Sequence, residues 1–385
     1  MNKSSEPPQN PSEEQTLDTP ESLDQLRDAV QASPQVLAVG QQTKPPLSET
    51  EATIICTRRL AGITQYEPSE FTFTALAGTP LTEITATLSQ RGQYLPFDPV
   101  LAGAGSTLGG AVGAGLSGSG RFRYGGIRDF LLGVKFISGE GDWIESGGKV
   151  VKNAAGFDIP KLLVGSLGRY GVMAELTFKV FPQPVAQLSL GIKCGTHEQA
   201  RQRMARVARS RWEVFAIDYQ PASGTVHLKL GGPPQANHQI AQEIMAEWSG
   251  EVTEISLDES IWAKVSELNF GSHSTVLKVP ATGLKMQQLC EALESADDVA
   301  LHASLAGQLV WIAVSGEPRL RSIETLLQSL SLSGLVVRGS GRCWLGSENG
   351  SAMAIGSQMQ RAIKQAMDPA AKFPELPFPE LIASQ

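Results

Sequence analysis

The chain has 385 residues, 41% of them hydrophobic and 18% charged, with a formal net charge of −7. That composition supports one large core or two moderate ones, and the acidic balance disfavours nucleic acid or an anionic membrane as main partner, because both call for a basic surface. No run of about 18 apolar residues occurs, so a membrane-spanning helix is excluded on length. Met1 to Pro20, rich in Pro, Ser, Glu and Gln and without the apolar segment of a secretory signal, reads as a disordered tail, which makes cytoplasmic residence the default. Cys56, Cys194, Cys290 and Cys343 are scattered too widely for zinc or an iron–sulfur cluster; they read as free thiols, and no metal site is expected.

In chain order, Ser22 to Gln31 reads as a short helix and Val36 to Val39 as a buried strand. The strand runs into the loop Gly40-Gln41-Gln42-Thr43-Lys44, a phosphate-friendly arrangement. Thr53 to Thr57 and Phe71 to Leu76 carry the β-branched and aromatic residues of strands. Thr79 is expected to cap a helix with Pro80 in its first position, stopping at Gly92. Leu132 to Ser138 and Trp143 to Ser146 flank the turn Gly139-Glu140-Gly141 as a hairpin. Asp158 caps a short helix that ends at Gly165, and Val172 to Val180 alternates as a half-buried strand. Pro182-Gln183-Pro184 then marks a domain boundary, giving a tail over 1–20, a first domain over 21–184 and a second over 185–385.

In the second domain, helical patterns near His197 to Arg209, His238 to Trp248, Lys285 to Ala296 and Arg319 to Ser331 alternate with strand patterns. The strands fall near Val214 to Asp218, Thr225 to Leu230, Thr275 to Val279 and Leu309 to Val314, and the alternation predicts an α+β layer with helices on one face of a sheet. No internal repeat is evident, and Ala370 to Gln385, with three prolines, is expected to run back along the surface in extended form.

The densest signal lies between Leu101 and Pro182. Small residues crowd at Gly103, Gly105, Ser106, Thr107, Gly109, Gly110, Gly113 and Gly115, and again at Gly165, Ser166, Gly168 and Gly171. Backbone this bare suits close approach to a bulky anionic ligand, a dinucleotide above all, although glycine clusters also mark tight turns and close strand packing. Gly103-x-Gly105-x-x-Leu108 lacks the third glycine of the Rossmann fingerprint, and no P-loop is present.

Ser106-Thr107-Leu108-Gly109-Gly110, Tyr124-Gly125-Gly126-Ile127-Arg128-Asp129, Lys152-Asn153-Ala154-Ala155-Gly156-Phe157-Asp158 and Gly165-Ser166-Leu167-Gly168-Arg169-Tyr170-Gly171-Val172 follow one another at characteristic spacing. Together they resemble the PCMH-type FAD domain of the vanillyl-alcohol oxidase superfamily, and within it the E-type FAD-binding subunits of glycolate oxidases. The resemblance covers Val39 to Pro182, with echoes at Trp262, Leu277 to Pro280 and Asp368 to Phe373. It implies an α+β chain, a two-part PCMH-type FAD-binding domain followed by an α+β cap. The implied cofactor is FAD, held without a covalent bond, with Gly40, Thr43, Ser106, Thr107, Gly109, Gly110, Gly113, Arg128, Gly168 and Val172 as cofactor-binding residues. The implied partners are a D-type catalytic flavoprotein subunit and an F-type iron–sulfur subunit, through which the chain reaches the inner membrane, in a complex that oxidises glycolate to glyoxylate.

The chain departs from the family pattern at Gln41 and Gln42, where glycines are usual, and at Leu167 and Arg169, where related catalytic subunits read Gly-Ser-Glu-Gly-Thr. Two alternatives stay open: a self-sufficient FAD-dependent dehydrogenase of another 2-hydroxy acid, and a flavin-free assembly scaffold. Arg128 and Asp129 read equally as a structural ion pair, and Lys152 and Asn153 as shapers of a turn. His197, His227, His238, His273 and His302 form no short-spaced pair, and no residue presents itself as general base. Arg121, Arg123 and Arg128, with Tyr124 as a donor, are the basic candidates beside the flavin.

Overall fold

Short apolar strands punctuated by Gly and Pro assemble the N-terminal half from three small sheets. The computed structural model describes residues 17–148, 157–255, 261–339, 342–346 and 351–375; the motif residues Lys152 to Gly156 lie outside the described residues. The elements of this half are β1 (Leu17–Asp18), α1 (Leu23–Ala32), β2 (Val36–Val39), β3 (Thr53–Cys56), β4 (Ile63–Glu67), β5 (Thr72–Leu76), α2 (Leu81–Ser89), β6 (Gln93–Tyr94), α3 (Leu108–Ala114), α4 (Arg121–Tyr124), α5 (Ile127–Phe130), β7 (Leu131–Ile137), β8 (Trp143–Gly147), α6 (Ile159–Leu163), β9 (Val172–Lys179) and β10 (Phe181–Pro182). A parallel sheet runs β1-β3-β2, an antiparallel one β4-β5-β9-β7-β8, and β10 pairs with β6. The tail expected to be disordered through residue 20 therefore ends in a strand, Leu17 lying opposite Ile54.

Local chemistry explains most of these starts and stops. Ser22 accepts from the Gln25 amide to cap α1, whose Leu26 and Val30 pack with Val36, Ile55, Val172 and Ala174. The alternation along β9 buries Val172, Ala174, Leu176 and Phe178, and the Phe178 ring stacks on Phe73 at 5.8 Å. One expectation is corrected. Pro80, not Thr79, is the cap of α2, because the Thr79 hydroxyl donates to the Leu76 carbonyl at 2.6 Å and accepts from the Gly62 amide. The glycine-rich stretch after Ser106, to which the sequence assigns no element, forms the helix α3, capped by Thr107.

The C-terminal half holds β11 (Ala186–Lys193), α7 (His197–Ala208), β12 (Val214–Gln220), β13 (Thr225–Gly232), α8 (Pro234–Glu247), β14 (Val252–Ile255), α9 (Trp262–Ser266), β15 (Thr275–Pro280), α10 (Gly283–Ala292), β16 (Val299–Ser304), β17 (Leu309–Val314), α11 (Glu317–Ser329), β18 (Ser333–Arg338), β19 (Trp344–Gly346) and α12 (Ser351–Met367). Among the described residues its nine strands form one sheet in the order β14-β11-β13-β12-β16-β17-β15-β18-β19. The order reveals a duplication that the residues do not show. The strand–helix–strand–strand–helix–strand unit β11 to β14 recurs as β15 to β18, and the two copies meet back to back through β12 and β16, which share the single register pair Tyr219 with Ala303.

Helices α7, α8, α10 and α11 cover one face of this sheet, burying Met204, Ile244, Leu289 and Leu327 among the strand residues. The other face lies on the N-terminal half, where Leu47, Val100, Leu101 and Leu116 pack with Ala216, Val276, Trp311 and Leu335. Backbone ties reinforce the contact: the Leu101 amide donates to the Ser266 carbonyl at 2.7 Å, and the Gly103 amide to Glu267 Oε1 at 2.8 Å.

After α12 the chain returns to the first half. Lys364 Nζ, 4% exposed, donates to the carbonyls of Arg169 and Phe373 and pairs with Asp368, whose carboxylate accepts from the amides of Lys372 and Phe373. The Val36 amide donates to the Lys372 carbonyl at 2.9 Å, and Phe373 is buried in the α1 core. Up to residue 375 the expected surface tail is thus a packed strap. Removing one partner of a buried ion pair strands the other charge, so Asp368→Ala should lower the unfolding free energy by about 3–5 kcal/mol. Urea denaturation of the variant beside the unaltered chain measures this, and a loss below about 1 kcal/mol would mean that the strap does not hold the fold together.

Candidate functional site

A crevice opens in the N-terminal half where three backbone segments converge. Its walls are the end of β2 with the following loop from Gly40 to Ser48, the start of α3, and the turn Leu167 to Gly171, with Thr57, Ala77 and Met173 behind. The segments hold each other in place. Thr57 Oγ1 donates to the Val39 carbonyl at 3.1 Å, the Gly109 amide to the Ala77 carbonyl at 2.7 Å, and the Leu167 amide to the Gly113 carbonyl at 2.9 Å.

The central charge is Lys44. It is 7% exposed, and its ammonium donates to Thr43 Oγ1 at 2.9 Å and Ser106 Oγ at 3.1 Å, with no carboxylate paired to it among the described residues. Burial without a counter-charge lowers its pKa from 10.5 to about 8. A cation kept in such a place is complete only when an anion arrives.

The glycines fall into two kinds when a Cβ is imagined on each. At Gly40 it would meet Thr107 Oγ1 at 2.2 Å, and at Gly109 it would meet the Ala77 Cβ at 2.8 Å, so these two are bare because protein presses on protein. At Gly110 the one near atom is Thr107 Oγ1 at 3.1 Å, and at Gly113 nothing lies closer than Met173 Cε at 3.7 Å. Both line the crevice; Gly113 leaves room for a Cβ, whereas at Gly110 one would press on Thr107 Oγ1 alone. A buried uncompensated ammonium beside open backbone fits a diphosphate.

Of the residues singled out from sequence, Gly40, Thr43, Ser106, Thr107, Gly109, Gly110, Gly113 and Gly168 all line this crevice. The Thr107 hydroxyl, expected to face a ligand, is committed to accepting from the Gly110 amide at 3.2 Å as the cap of α3. Two residues do not line the crevice. The Val172 side chain has 0% exposure and packs in the core beside Leu26 and Val30, which leaves only its backbone for the role expected of it, next to Gly171 of the crevice wall. Arg128 is exposed on α5 and does not line the crevice; nor does it pair with Asp129, whose carboxylate accepts from the Gly126 amide at 2.8 Å. Lys44 is the residue that sequence reading passed over, although the Gly/Thr/Lys loop was its signal.

The departures at 167 and 169 also find their places. Leu167 lines the crevice with a left-handed backbone, φ 53°, and Arg169, 1% exposed, donates to the carbonyls of Leu47, Leu167 and Glu375. Arg169 is a structural knot joining the crevice loop, the turn and the C-terminal strap. Arg123 pairs with Glu213 at 3.1 Å, and the Tyr124 ring packs edge-on against Phe181 and Phe215. Arg121 lies close enough to Lys278 of β15 that its charge adds to burial in lowering the Lys278 pKa to about 8. None of the five histidines lines the crevice.

Comparison with known proteins agrees with this geometry. Residues 15–147 match a family model described as an FAD binding domain. The chain is 40% identical over 172 residues to glycolate oxidase subunit GlcE of Escherichia coli, covering 44% of this chain and 48% of that protein. It is 28% identical over 187 residues to glycolate oxidase subunit GlcD of Bacillus subtilis, covering 48% of this chain and 40% of that one. The matches span about half the length of these curated relatives, or less. Among solved structures, alkyldihydroxyacetonephosphate synthase superposes with a TM-score of 0.69 over 92% of this chain and 75% of that one, at 16% identity, a likeness of fold.

The Lys44 environment makes a prediction free of any ligand. Its folded pKa, about 8, lies below the unfolded value of 10.5, so the unfolded chain binds more protons between these values and the stability of the ligand-free protein rises with pH across that window. Denaturation midpoints between pH 7 and 10.5 should show this rise, and Lys44→Met should reduce it, leaving the part that Lys278, held at about 8, contributes with the same sign.

Proposed function

With an FAD binding domain over residues 15–147 as premise, we propose that the chain is the FAD-binding subunit of a glycolate oxidase complex that converts glycolate to glyoxylate. In this reading it is a cytoplasmic subunit that works beside a separate catalytic flavoprotein subunit, with an iron–sulfur subunit taking the electrons and the inner membrane reached through these partners. The observation that carries the flavin reading is the buried, unpaired Lys44 facing open glycine backbone. The similarity to GlcE supports the choice of complex. Among the described residues no helix is long and apolar enough to cross a membrane.

Lys44 and Ser106 would face the diphosphate of FAD, with the backbone of Gly110 and Gly113 admitting it and that of Gly40, Thr43 and Gly168 closing the sides. Thr107 and Gly109 act one step back, fixing α3 against Gly40 and Ala77 so that the cradle keeps its shape. The bound flavin supplies the two-electron acceptor for hydride chemistry. Lys44 is the one titratable side chain among the described residues lining the crevice, and this favours a holding role over proton abstraction from substrate. The approach of Arg121 and Lys278 from the two halves favours a second reading, in which the pair would hold the carboxylate of a 2-hydroxy acid for a stand-alone FAD-dependent dehydrogenase.

Anaerobic mixing separates the two. The FAD-loaded chain should keep its visible flavin band when glycolate is added alone and lose it when the partner subunits are present; bleaching by glycolate or D-lactate without partners would overturn the subunit reading in favour of the dehydrogenase.

The flavin reading has its own test. Gly110→Asp, which sets a carboxylate in the cradle, should abolish FAD retention, and Lys44→Met should weaken it by about tenfold or more. Because the ammonium form is the one that meets the diphosphate, affinity of the unaltered chain should fall as pH passes about 8. Stoichiometric FAD in Gly110→Asp after gel filtration would contradict the assignment.

A further inference from the structure

The seam between the two copies of the repeated unit contains a second cavity. β16 is paired along its six residues with β17 but meets β12 only at Tyr219 with Ala303, and the divergence leaves a space of about 320 Å³. Ile261, Val265 and Phe270 give it an apolar wall, Lys264 and Asn269 stand among its lining residues, and His302 closes its base. The Phe270 ring stacks on the His302 ring at 5.9 Å and on Trp311 at 6.4 Å.

His302 is 3% exposed, and its Nε2 lies 2.8 Å from Asp218 Oδ2, an oxygen that also accepts from Ser119 Oγ at 2.5 Å and Ser304 Oγ at 2.8 Å. An oxygen surrounded by three donors fixes the imidazole with Nε2–H toward Asp218. The other ring nitrogen, Nδ1, has no hydrogen-bond partner among the described residues, although the side chain is almost wholly buried and lines the cavity. The charges around this ring are Asp218 on β12, His227 on β13, and Lys264, His273 and Asp297 from the cavity wall. Lys264 has no carboxylate paired to it among the described residues.

We propose that this seam cavity is a binding site for a small carboxylic acid with an apolar or aromatic body. The carboxylate meets Lys264 and the free Nδ1 of His302, and the body lies against Phe270, Ile261 and Val265. The ring meets the carboxylate by donating from Nδ1, while Nε2–H stays with Asp218 Oδ2 at 2.8 Å. The volume sits at the lower end of ordinary small-ligand pockets, which run from about 300 to 1,000 Å³. None of its lining residues belongs to the crevice of the N-terminal half, so the proposal stands apart from the flavin reading.

Benzoate is the probe, with benzyl alcohol as its uncharged counterpart, titrated by calorimetry into the full chain after incubation with FAD. Saturable binding of one benzoate per chain is expected, with benzyl alcohol weaker by about tenfold or more. Lys264→Met, at the exposed mouth where folding is not at stake, should weaken benzoate by a similar factor, and His302→Phe, which removes the Nδ1 contact, should weaken it as well. Equal binding of benzyl alcohol, unchanged affinity in Lys264→Met, or no saturable binding would overturn the site. Release of FAD from the chain on gel filtration in benzoate would overturn it too, by placing the probe in the crevice, whereas a chain that never takes up FAD yet binds benzoate as described would sink the flavin reading and leave this one intact.

Discussion

An ammonium sealed under its own backbone with two hydroxyls and no carboxylate is the constraint around which the N-terminal half is arranged. Lys44 could have been left to solvent by a small change in the loop after β2; instead Pro45 and Pro46 turn the chain at once into the interface, where Leu47 packs among residues of the second half. The loop therefore serves two masters. One end carries the charge into the crevice, and the other fastens the two halves together, with Arg169 holding the Leu47 carbonyl and Cys343 the Pro46 carbonyl. The segment that carries Lys44 into the crevice is thus also the one that packs against the second half.

Much of this was legible in the residues, and where it was not the reasons are specific. The strand Leu309–Val314 and the helix from His197 matched their patterns because period and burial agree there. α3 was illegible because its sequence, Leu-Gly-Gly-Ala-Val-Gly-Ala, pays glycine's helix penalty of about 1 kcal/mol three times over. Tertiary contact overrides the propensity: only at a residue without Cβ can the helix come close enough for the Gly109 amide to reach the Ala77 carbonyl. The glycines announced a crevice correctly, but half of their message concerned protein against protein.

The same distinction explains the site residues. Ser106, Gly110 and Gly113 were readable as crevice residues because small residues of the motif line it. Val172 and Arg128 were not, because adjacency in a motif says nothing about which way a side chain leaves the backbone; β9 begins at 172 and sends that residue into the core, and a helix of four residues carries Arg128 outward. Lys44 was passed over because a lysine beside a polar loop ordinarily lies in water, and only the three-dimensional closure of Ser106 over it reveals the burial.

The duplication in the second half carries the last step. Asp218 directly precedes Tyr219, and His302 directly precedes Ala303, the two residues through which the copies pair. The acid and the imidazole thus occupy corresponding places in the two copies, brought together by their back-to-back approach. β12 and β16 share no further register pair, and side chains join the strands there instead, with Ser304 and Ser119 completing the set. A seam built this way leaves some polar groups satisfied and others open to a cavity, as His302 is at Nε2 and at Nδ1 respectively. Because Ser119 belongs to the N-terminal half, the same carboxylate that steadies the imidazole also ties the seam to the segment leading into α4. Charge arriving in the seam would be felt across the interface through one buried hydroxyl.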